Sequence, residues 1–162
     1  MDGNGRVLPV TNIAFVVPSP ALVAVVHEAW ALHEKIFGKS NDFSYTVDCE
    51  LSPEVIVSRH YNADVIVSRG GTAASLKERN ILTPVVEIPI TGSDMLFSIR
   101  RAIERCGELP IGVVGTVNTI RGVYFLQDNL PVTVKPYPTA SINIRDLIDG
   151  MERAVADGCK LI

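Results

Sequence analysis

Short apolar runs alternate along the chain with longer segments of helical periodicity. Runs rich in β-branched residues predict buried strands, and apolar positions that repeat every three or four residues predict helices. The predicted strands are Ile13–Val17, Phe43–Val47, Asp64–Ser68, Val85–Ile88, Ile111–Gly115 and Val132–Val134. The predicted helices are Ala21–Phe37, one starting at Ser52-Pro53-Glu54, one starting at Ala73, one capped by Gly92-Ser93-Asp94 and ending at Cys106, Thr119–Asp128 and Ile144–Ala156. This alternation predicts parallel sheets covered by helices on both faces.

The pentapeptide Val-Ile-Val-Ser-Arg occurs twice, at residues 55–59 and 65–69. The first copy follows Ser52-Pro53-Glu54, in which a capping serine, a proline in the first turn and an acid are typical of a helix start. The second copy leads directly into Gly70-Gly71. From these flanks alone we predict a helix for the first copy and a strand for the second.

A second series of strand, helix and strand begins near Gly107-Glu108-Leu109-Pro110. We therefore predict two Rossmann-like α/β lobes of three layers each, residues 1–107 and residues 108–162. The segment Cys159-Lys160-Leu161-Ile162 has the pattern of a buried strand that is just beginning. We expect the second lobe to be incomplete and the native sequence to continue beyond Ile162.

Composition excludes several classes of function. Of the 162 residues, 47% are apolar and 20% are charged, which is enough apolar surface for a sizeable core. The net charge of -3 argues against binding to nucleic acid or to an anionic membrane. No apolar run approaches the roughly 20 residues of a membrane span, and Met1-Asp2-Gly3-Asn4-Gly5-Arg6 does not resemble a signal peptide. We expect a cytoplasmic protein with reduced cysteines.

The strongest candidate for a binding site is the segment Val65-Ile66-Val67-Ser68-Arg69-Gly70-Gly71-Thr72-Ala73. A β-branched run ends there in a turn with two glycines, and a helix-compatible stretch follows. Glycines let backbone N–H groups approach a ligand closely, and the helix N-terminus behind them favours an anion. Such strand-to-helix corners are where open α/β sheets bind ligands.

Other loops at predicted strand ends should gather at the same edge of a parallel sheet. They offer hydroxyls, an amide, backbone N–H groups and one arginine, which suits a small polar or carboxylated ligand. The alternative is that these Ser, Thr and Asp side chains only cap helices, and for Asp94 we favour that role. The predicted ligand-binding residues are Ser19, Ser68, Arg69, Gly70, Gly71, Thr72, Thr91, Asn118 and Thr119.

Nucleotide and metal sites receive little support from the sequence. Gly70-Gly71 lacks the third spaced glycine of a dinucleotide fingerprint, and no Gly-Lys-Ser/Thr follows it. Acids and histidines do not cluster, and we interpret His27, His33 and His60 as structural or exposed. We therefore predict neither a cofactor nor a metal ion.

An enzyme remains the alternative from another class. This alternative is an enzyme of the racemase or isomerase type, because cofactor-independent amino-acid racemases use two cysteine thiols, one from each of two α/β lobes. The three cysteines here are Cys49, Cys106 and Cys159, and none lies in the loops that carry the predicted ligand-binding residues. Fast alkylation of a cysteine at neutral pH would favour the enzyme.

Several motifs occur in the order found in one family. They are Ser68-Arg69-Gly70-Gly71-Thr72-Ala73, Pro84-Val85-Val86-Glu87-Ile88, Gly92-Ser93-Asp94-Met95-Leu96 and Ile111-Gly112-Val113-Val114-Gly115. Together they resemble the N-terminal sensory domain of propionate-catabolism regulators, which are sigma-54-dependent transcriptional activators of the NtrC type. The resemblance covers roughly residues 11–162 and rests on short motifs in series.

The resemblance implies a two-lobed sensor with a chelatase-like or periplasmic-binding-like arrangement and a small effector between the lobes. It also implies a following AAA+ ATPase and a DNA-binding domain in the same chain, so that a Walker A motif downstream would settle the class. The effector implied for the named regulator is a tricarboxylate, for which one arginine is a poor match. We expect a homo-oligomer whose sensory domain contacts neither membrane nor nucleic acid and has no catalytic activity of its own.

Overall fold

The computed structural model describes residues 10–50, 52–79 and 82–162. The prediction made for Met1 to Arg6 lies outside this part of the chain. Two compact units are present, the first ending at Glu87 and the second running from Ile88 to Ile162. Each unit is an α/β structure with a parallel sheet, as the alternating pattern predicts.

The first unit contains a four-stranded sheet. Strand β1 pairs in parallel with β2 on one side and with β3 on the other, and β4 lies beyond β3, so that the order is β2-β1-β3-β4. The strands are β1 (Thr11–Val17), β2 (Phe43–Cys49), β3 (Val65–Arg69) and β4 (Val85–Ile88), and the helices are α1 (Pro20–Phe37), α2 (Pro53–Ser58) and α3 (Gly70–Glu78). Both copies of the repeated pentapeptide have the predicted structure: the first lies in and just after α2, and the second is β3.

The helices of this unit lie on opposite faces of its sheet. Ile56 of α2 and Leu76 of α3 are buried together with Ala14, Val16 and Ile66 of the strands. Because successive strand residues point to opposite faces, Phe15 and Tyr45 lie on the other face. Trp30 of α1 stacks on Tyr45 there, with ring centroids 4.2 Å apart, and Phe15 packs against the edge of the same ring. Helix α1 therefore covers the face opposite to α2 and α3.

The second unit is built on two parallel strands, β5 (Ile111–Thr116) and β6 (Val134–Thr139). Leu161 pairs with Ile111 at the other side of β5, where the sequence predicted a strand. The helices are α4 (Gly92–Cys106), α5 (Val117–Ile120) and α6 (Ile144–Ala156), with two 3-10 turns, Arg121–Phe125 and Gln127–Asn129, after α5. The core contains Ile99, Ile111, Ile120, Val123, Val132 and Val134.

Two predicted elements of this unit are wrong. The helix predicted at Thr119–Asp128 is one turn of α-helix followed by 3-10 turns. Gly122 lies so close to Gly92 that an added Cβ would be 3.0 Å from its Cα, so packing against the start of α4 shapes this segment. The strand predicted at Val132–Val134 instead runs over Val134–Thr139. Its two prolines are two residues apart, and their missing N–H groups can therefore face away from β5.

The division into units also differs from the predicted one. The sequence placed α4 in the first lobe, with a boundary near Gly107. In the structure, Ile99 of α4 is buried with Ile120 and Val123, and the division follows Glu87. In the described part of the chain, no helix is both long and apolar enough to cross a bilayer.

Candidate functional site

The edge formed by the carboxyl ends of β1 and β3 is the candidate site of the first unit. These strands are neighbours, yet α1 leaves β1 onto one face of the sheet and α3 leaves β3 onto the other. The two loops therefore diverge and leave a crevice between them, which is where open α/β sheets bind ligands. Ser19 lies in the first of these loops, and Ser68 to Thr72 form the second. The strand order thus brings these predicted site residues to one edge.

At the corner between β3 and α3, the groups available to a ligand are backbone groups, because the serine and threonine hydroxyls are buried. Gly70 is the first residue of α3, is buried and has a φ of 58°, a conformation that glycine adopts at little cost. The Ser68 side chain is only 1% exposed, and its Oγ donates a 2.8 Å hydrogen bond to the Val16 carbonyl. Thr72 is also buried, whereas Gly71 is half-buried. The hydroxyls of Ser68 and Thr72 thus lie inside the unit, and the N-terminus of α3 faces the corner.

Arg69 is the cation of this corner. It is half-buried, in extended backbone conformation, and it is the N-cap residue of α3. Ser68 and Ile66 point to the face of α2 and α3, so the alternation along β3 directs Arg69 towards the face of α1. Its Nε atom is buried. The inner part of the Arg69 side chain is therefore enclosed, while the residue as a whole stays partly exposed.

The helices differ in whether a side chain caps their first turn, and α1, α3 and the four-residue α5 have no such cap. The N-cap residues that precede α2, α4 and α6 are Ser52, Thr91 and Asn143, and each of these side chains accepts a backbone N–H of the helix that follows. Ser19 at the start of α1 and Arg69 at the start of α3 make no such cap hydrogen bond. The two helices that flank the crevice thus start without side-chain caps, and their positive ends face the same edge of the sheet.

The predicted site residues of the second unit take part in local hydrogen bonds. Thr91 and Asp94 form a capping box: Thr91 Oγ1 accepts the Asp94 N–H at 3.2 Å, and Asp94 Oδ2 accepts the Thr91 N–H at 2.8 Å. The role favoured for Asp94 is confirmed. The buried Thr116 hydroxyl donates to Asn118 Oδ1 at 2.6 Å and lies 3.0 Å from Thr119 Oγ1. Asn118 and Thr119 thus form a small polar cluster at the end of β5.

Sequence reasoning missed the loop that follows β6. Thr139 ends β6 beside Thr116, and its Oγ1 donates to the Ser141 carbonyl at 2.9 Å. Ser141 Oγ donates to Asp146 at 2.6 Å, and Asn143 caps α6. This loop lies at the same sheet edge as the Thr116 cluster. Because the predicted strand ended at Val134, the loop was not recognised, although a Thr-Ala-Ser-Ile-Asn stretch before a helix is itself a loop and cap signal.

The other candidate residues are not assembled into a site. Cys49 and Cys106 are exposed at the ends of β2 and α4, and Cys159 is buried against Tyr137 and Ala154, as predicted for Cys159. The described residues contain no group of three or more His, Cys, Asp or Glu that could hold a metal ion. His27 Nδ1 lies 2.9 Å from the Tyr45 hydroxyl, which is a structural contact between α1 and β2.

A small pocket of about 160 Å³ lies near the residues that precede β3 and β4, away from the crevice; it is lined by Arg59, His60, Tyr61, Ile66, Leu82 and Thr83. Arg59 Nη1 contacts both carboxylate oxygens of Asp48 at 2.5 Å. This hydrogen bond and the negative charge of Asp48 raise the pKa of the Arg59 guanidinium. The guanidinium group of Arg59 is thus already paired with the carboxylate of Asp48 at this pocket.

The parallel sheets and their covering helices define a Rossmann-like α/β protein. A crystal structure of an NtrC family transcriptional regulator from Clostridium acetobutylicum is similar to this chain, with a TM-score of 0.70 and 16% identity over 93% of this chain and 75% of that one. That likeness concerns the fold. No curated protein sequence matches at a significant level. The family model described as propionate catabolism activator matches residues 45–162, and the chain belongs to this family. It is thus a regulatory domain of an activator family.

Proposed function

We propose that this chain is the effector-sensing domain of a sigma-54-dependent activator and binds a small anion in the crevice between β1 and β3. Family membership supports the regulatory role, because the family model covers residues 45–162 and therefore includes the β3–α3 corner. The proposed signal is conveyed to an AAA+ ATPase domain and a DNA-binding domain of the same protein. The domain itself catalyses no reaction in this proposal.

The observation that carries the ligand site is the pair of helix starts at the crevice. Neither Ser19 nor Arg69 supplies a side-chain cap, although the other long helices and α2 are capped in this way. A bound anion would accept hydrogen bonds from such N-terminal N–H groups and would be stabilised by the helix dipole. The positive φ of Gly70 supports this role, because it turns the backbone sharply where the ligand would approach.

The chemistry at the crevice favours a carboxylate. A guanidinium group binds a carboxylate through two parallel hydrogen bonds, and Arg69 lies beside the N-terminus of α3. The hydroxyl of Ser19 adds a neutral donor from the neighbouring loop. One cation suits a ligand with one or two negative charges better than a tricarboxylate. The contributions predicted for Thr91, Asn118 and Thr119 stay predictions.

The proposal is tested by isothermal titration of the 162-residue chain with propionate, succinate and citrate as probes of one, two and three carboxylates. We expect at least one of them to bind, and Arg69→Ala to weaken that binding about tenfold to a hundredfold, since a charge-assisted hydrogen bond contributes roughly 1.5–3 kcal/mol. Arg79, exposed at the other end of α3, provides the matched control, and Arg79→Ala should bind like the wild type.

Two results would contradict the proposed site. One is binding that is equally strong in the wild type and in Arg69→Ala. The other is equal weakening by Arg69→Ala and Arg79→Ala, which would show an effect of overall charge. In the complete activator, Arg69→Ala should also reduce induction of a sigma-54 promoter reporter while the protein level stays unchanged.

A further inference from the structure

Helix α6 carries an apolar stripe that its own unit does not cover. Ile144, Ile148, Met151 and Val155 are spaced four, three and four residues apart, and they are 70%, 43%, 41% and 61% exposed. At 100° per residue these four side chains share one flank of the helix. The spacing is that of the a and d positions of a coiled coil, in which two helices bury such a stripe against each other.

The face of α6 that packs on its own sheet is a different one. Gly150 and Ala154 are buried, and a Cβ at Gly150 would come within 2.6 Å of Val114 on β5. On the helical wheel these two positions lie roughly a third of a turn from the apolar stripe. The Arg153 guanidinium donates to the Pro138 carbonyl of β6 on the far side. The stripe is therefore accessible to a second helix laid alongside α6 without displacing the unit's own packing.

The charged residues beside the apolar stripe favour a second copy of α6 as its partner. Arg145 and Glu152 are exposed, seven residues apart, and both occupy the position that follows a d residue. In an antiparallel pair of identical helices, positions of this kind meet across the seam, so that Arg145 of each copy lies near Glu152 of the other. In a parallel pair Glu152 would face Leu147 of the partner helix, and Arg145 would lie beyond its first turn, so neither would gain a charged partner. The charge pattern is thus self-complementary only in the antiparallel arrangement.

We infer that α6 is a homodimerisation element that pairs antiparallel with α6 of a second copy of this chain. The axis of two-fold symmetry passes near residues 149 and 150, midway between Ile144 and Val155. Ile148 of one copy packs beside Met151 of the other, and the two Arg145–Glu152 pairs lie on the solvent side. This is an isologous interface, in which the same surface serves both copies.

The interface between the two α6 helices is small, and its area limits the affinity of the dimer. Four partly exposed side chains from each copy bury less than the roughly 1,200 Å² of a stable standard interface. The isolated chain should therefore dimerise weakly and in a concentration-dependent manner. Sedimentation equilibrium of the 162-residue chain, at concentrations up to about 1 mM and at low ionic strength to limit screening of the charge pairs, measures this association.

Charge reversal gives the decisive experiment. Arg145→Glu leaves four acids at the seam and Glu152→Arg leaves four bases, so each single variant should dimerise about tenfold more weakly than the wild type. The double variant Arg145→Glu/Glu152→Arg restores both pairs and should dimerise like the wild type. An equimolar mixture of the two single variants should form a heterodimer more readily than either forms a homodimer.

Substitutions in the apolar seam complete the test. Ile148→Glu should abolish dimerisation, whereas Phe97→Glu on α4, which changes a 70% exposed side chain outside the stripe, should not. Far-ultraviolet circular dichroism confirms that both variants remain folded. A chain that is monomeric throughout, or a dimer that is insensitive to charge reversal and to Ile148→Glu, would overturn the inference.

Discussion

Ser68 and Val16 are register partners on the neighbouring strands β3 and β1, and the Ser68 hydroxyl donates a 2.8 Å hydrogen bond to the Val16 carbonyl. This bond joins the two strands immediately before their loops diverge to opposite faces of the sheet. The side chain was predicted to contact a ligand, but its 1% exposure places it beneath the crevice. Its hydrogen bond therefore joins β3 to β1 directly beneath the candidate site.

Removing this hydroxyl should destabilise the first unit. In Ser68→Ala, a buried carbonyl loses a hydrogen bond, which costs about 1–2 kcal/mol of unfolding free energy. Ser98→Ala is the control, because that exposed hydroxyl bonds only to the carbonyl one helical turn back, and its loss should cost less than about 0.5 kcal/mol. Urea unfolding followed by circular dichroism measures both. Equal midpoints for Ser68→Ala and the wild type would show that the bond contributes nothing.

The capping box of α4 should be worth a measurable amount of stability. Asp94→Ala removes the acceptor of the Thr91 N–H and Oγ1 hydrogen bonds, and a loss of about 1 kcal/mol is expected from typical caps. Thr91→Ser keeps a hydroxyl at the N-cap and should change stability little. The thermal unfolding midpoints of the two variants are compared, so that the loss of the cap hydrogen bonds is distinguished from the general effect of a substitution at this helix start. A larger loss for Thr91→Ser than for Asp94→Ala would contradict the assignment.

Gly150 of α6 should not tolerate a methyl group. Glycine-to-alanine changes usually stabilise helix interiors, but here the added Cβ would lie 2.6 Å from Val114 Cγ1 and 3.2 Å from Thr139 Cγ2. We expect Gly150→Ala to destabilise the second unit by roughly 1–3 kcal/mol, as overpacking does. Gly92→Ala, at the start of α4, meets no atom within 4 Å and is the control. If both variants unfold at the wild-type midpoint, α6 packs less closely than described.

Tyr137 should make stability depend on alkaline pH. Its hydroxyl lies 3.5 Å from Cys159 Sγ and donates to Asp157 at 2.9 Å. The hydrogen bond with Cys159, burial and the hydrogen bond with Asp157 all raise the pKa of the phenol above its ordinary value. The folded protein therefore keeps this proton to higher pH than the unfolded chain does. The stabilisation is fully present below about pH 10 and is lost as the pH rises above that value.

The measurement is the urea midpoint of the wild type and of Tyr137→Phe between pH 8 and pH 11. Tyr137→Phe removes the titrating group, so its midpoint should fall less steeply with pH than that of the wild type. The two proteins differ at this position alone, so the difference between their curves reports the contribution of Tyr137. Parallel curves would mean that Tyr137 does not carry the alkaline dependence.

Much of the fold could be predicted from the sequence, because local signals and tertiary packing agree. The identical pentapeptides illustrate this agreement. Ser52 and the following proline start a helix at the first copy, whereas Gly70 ends the strand formed by the second. The strand-to-helix corners, the cap role of Asp94 and the family resemblance depend on residues that are close in sequence. Such short-range features are visible without knowing which strands are neighbours.

The rest depended on contacts between distant residues. Val134–Thr139 is a strand despite two prolines because it pairs with β5, and α4 belongs to the second unit because Ile99 packs beside Ile120 and Val123. Strand order decided that the loops after β1 and β3 form the crevice, and burial decided that the Ser68 hydroxyl supports the sheet. By itself the sequence determined most of the strands and helices and identified the side chains that could bind a ligand. Their neighbours, exposure and hydrogen bonds were decided by tertiary packing, because burial and hydrogen-bond partners are properties of the folded chain.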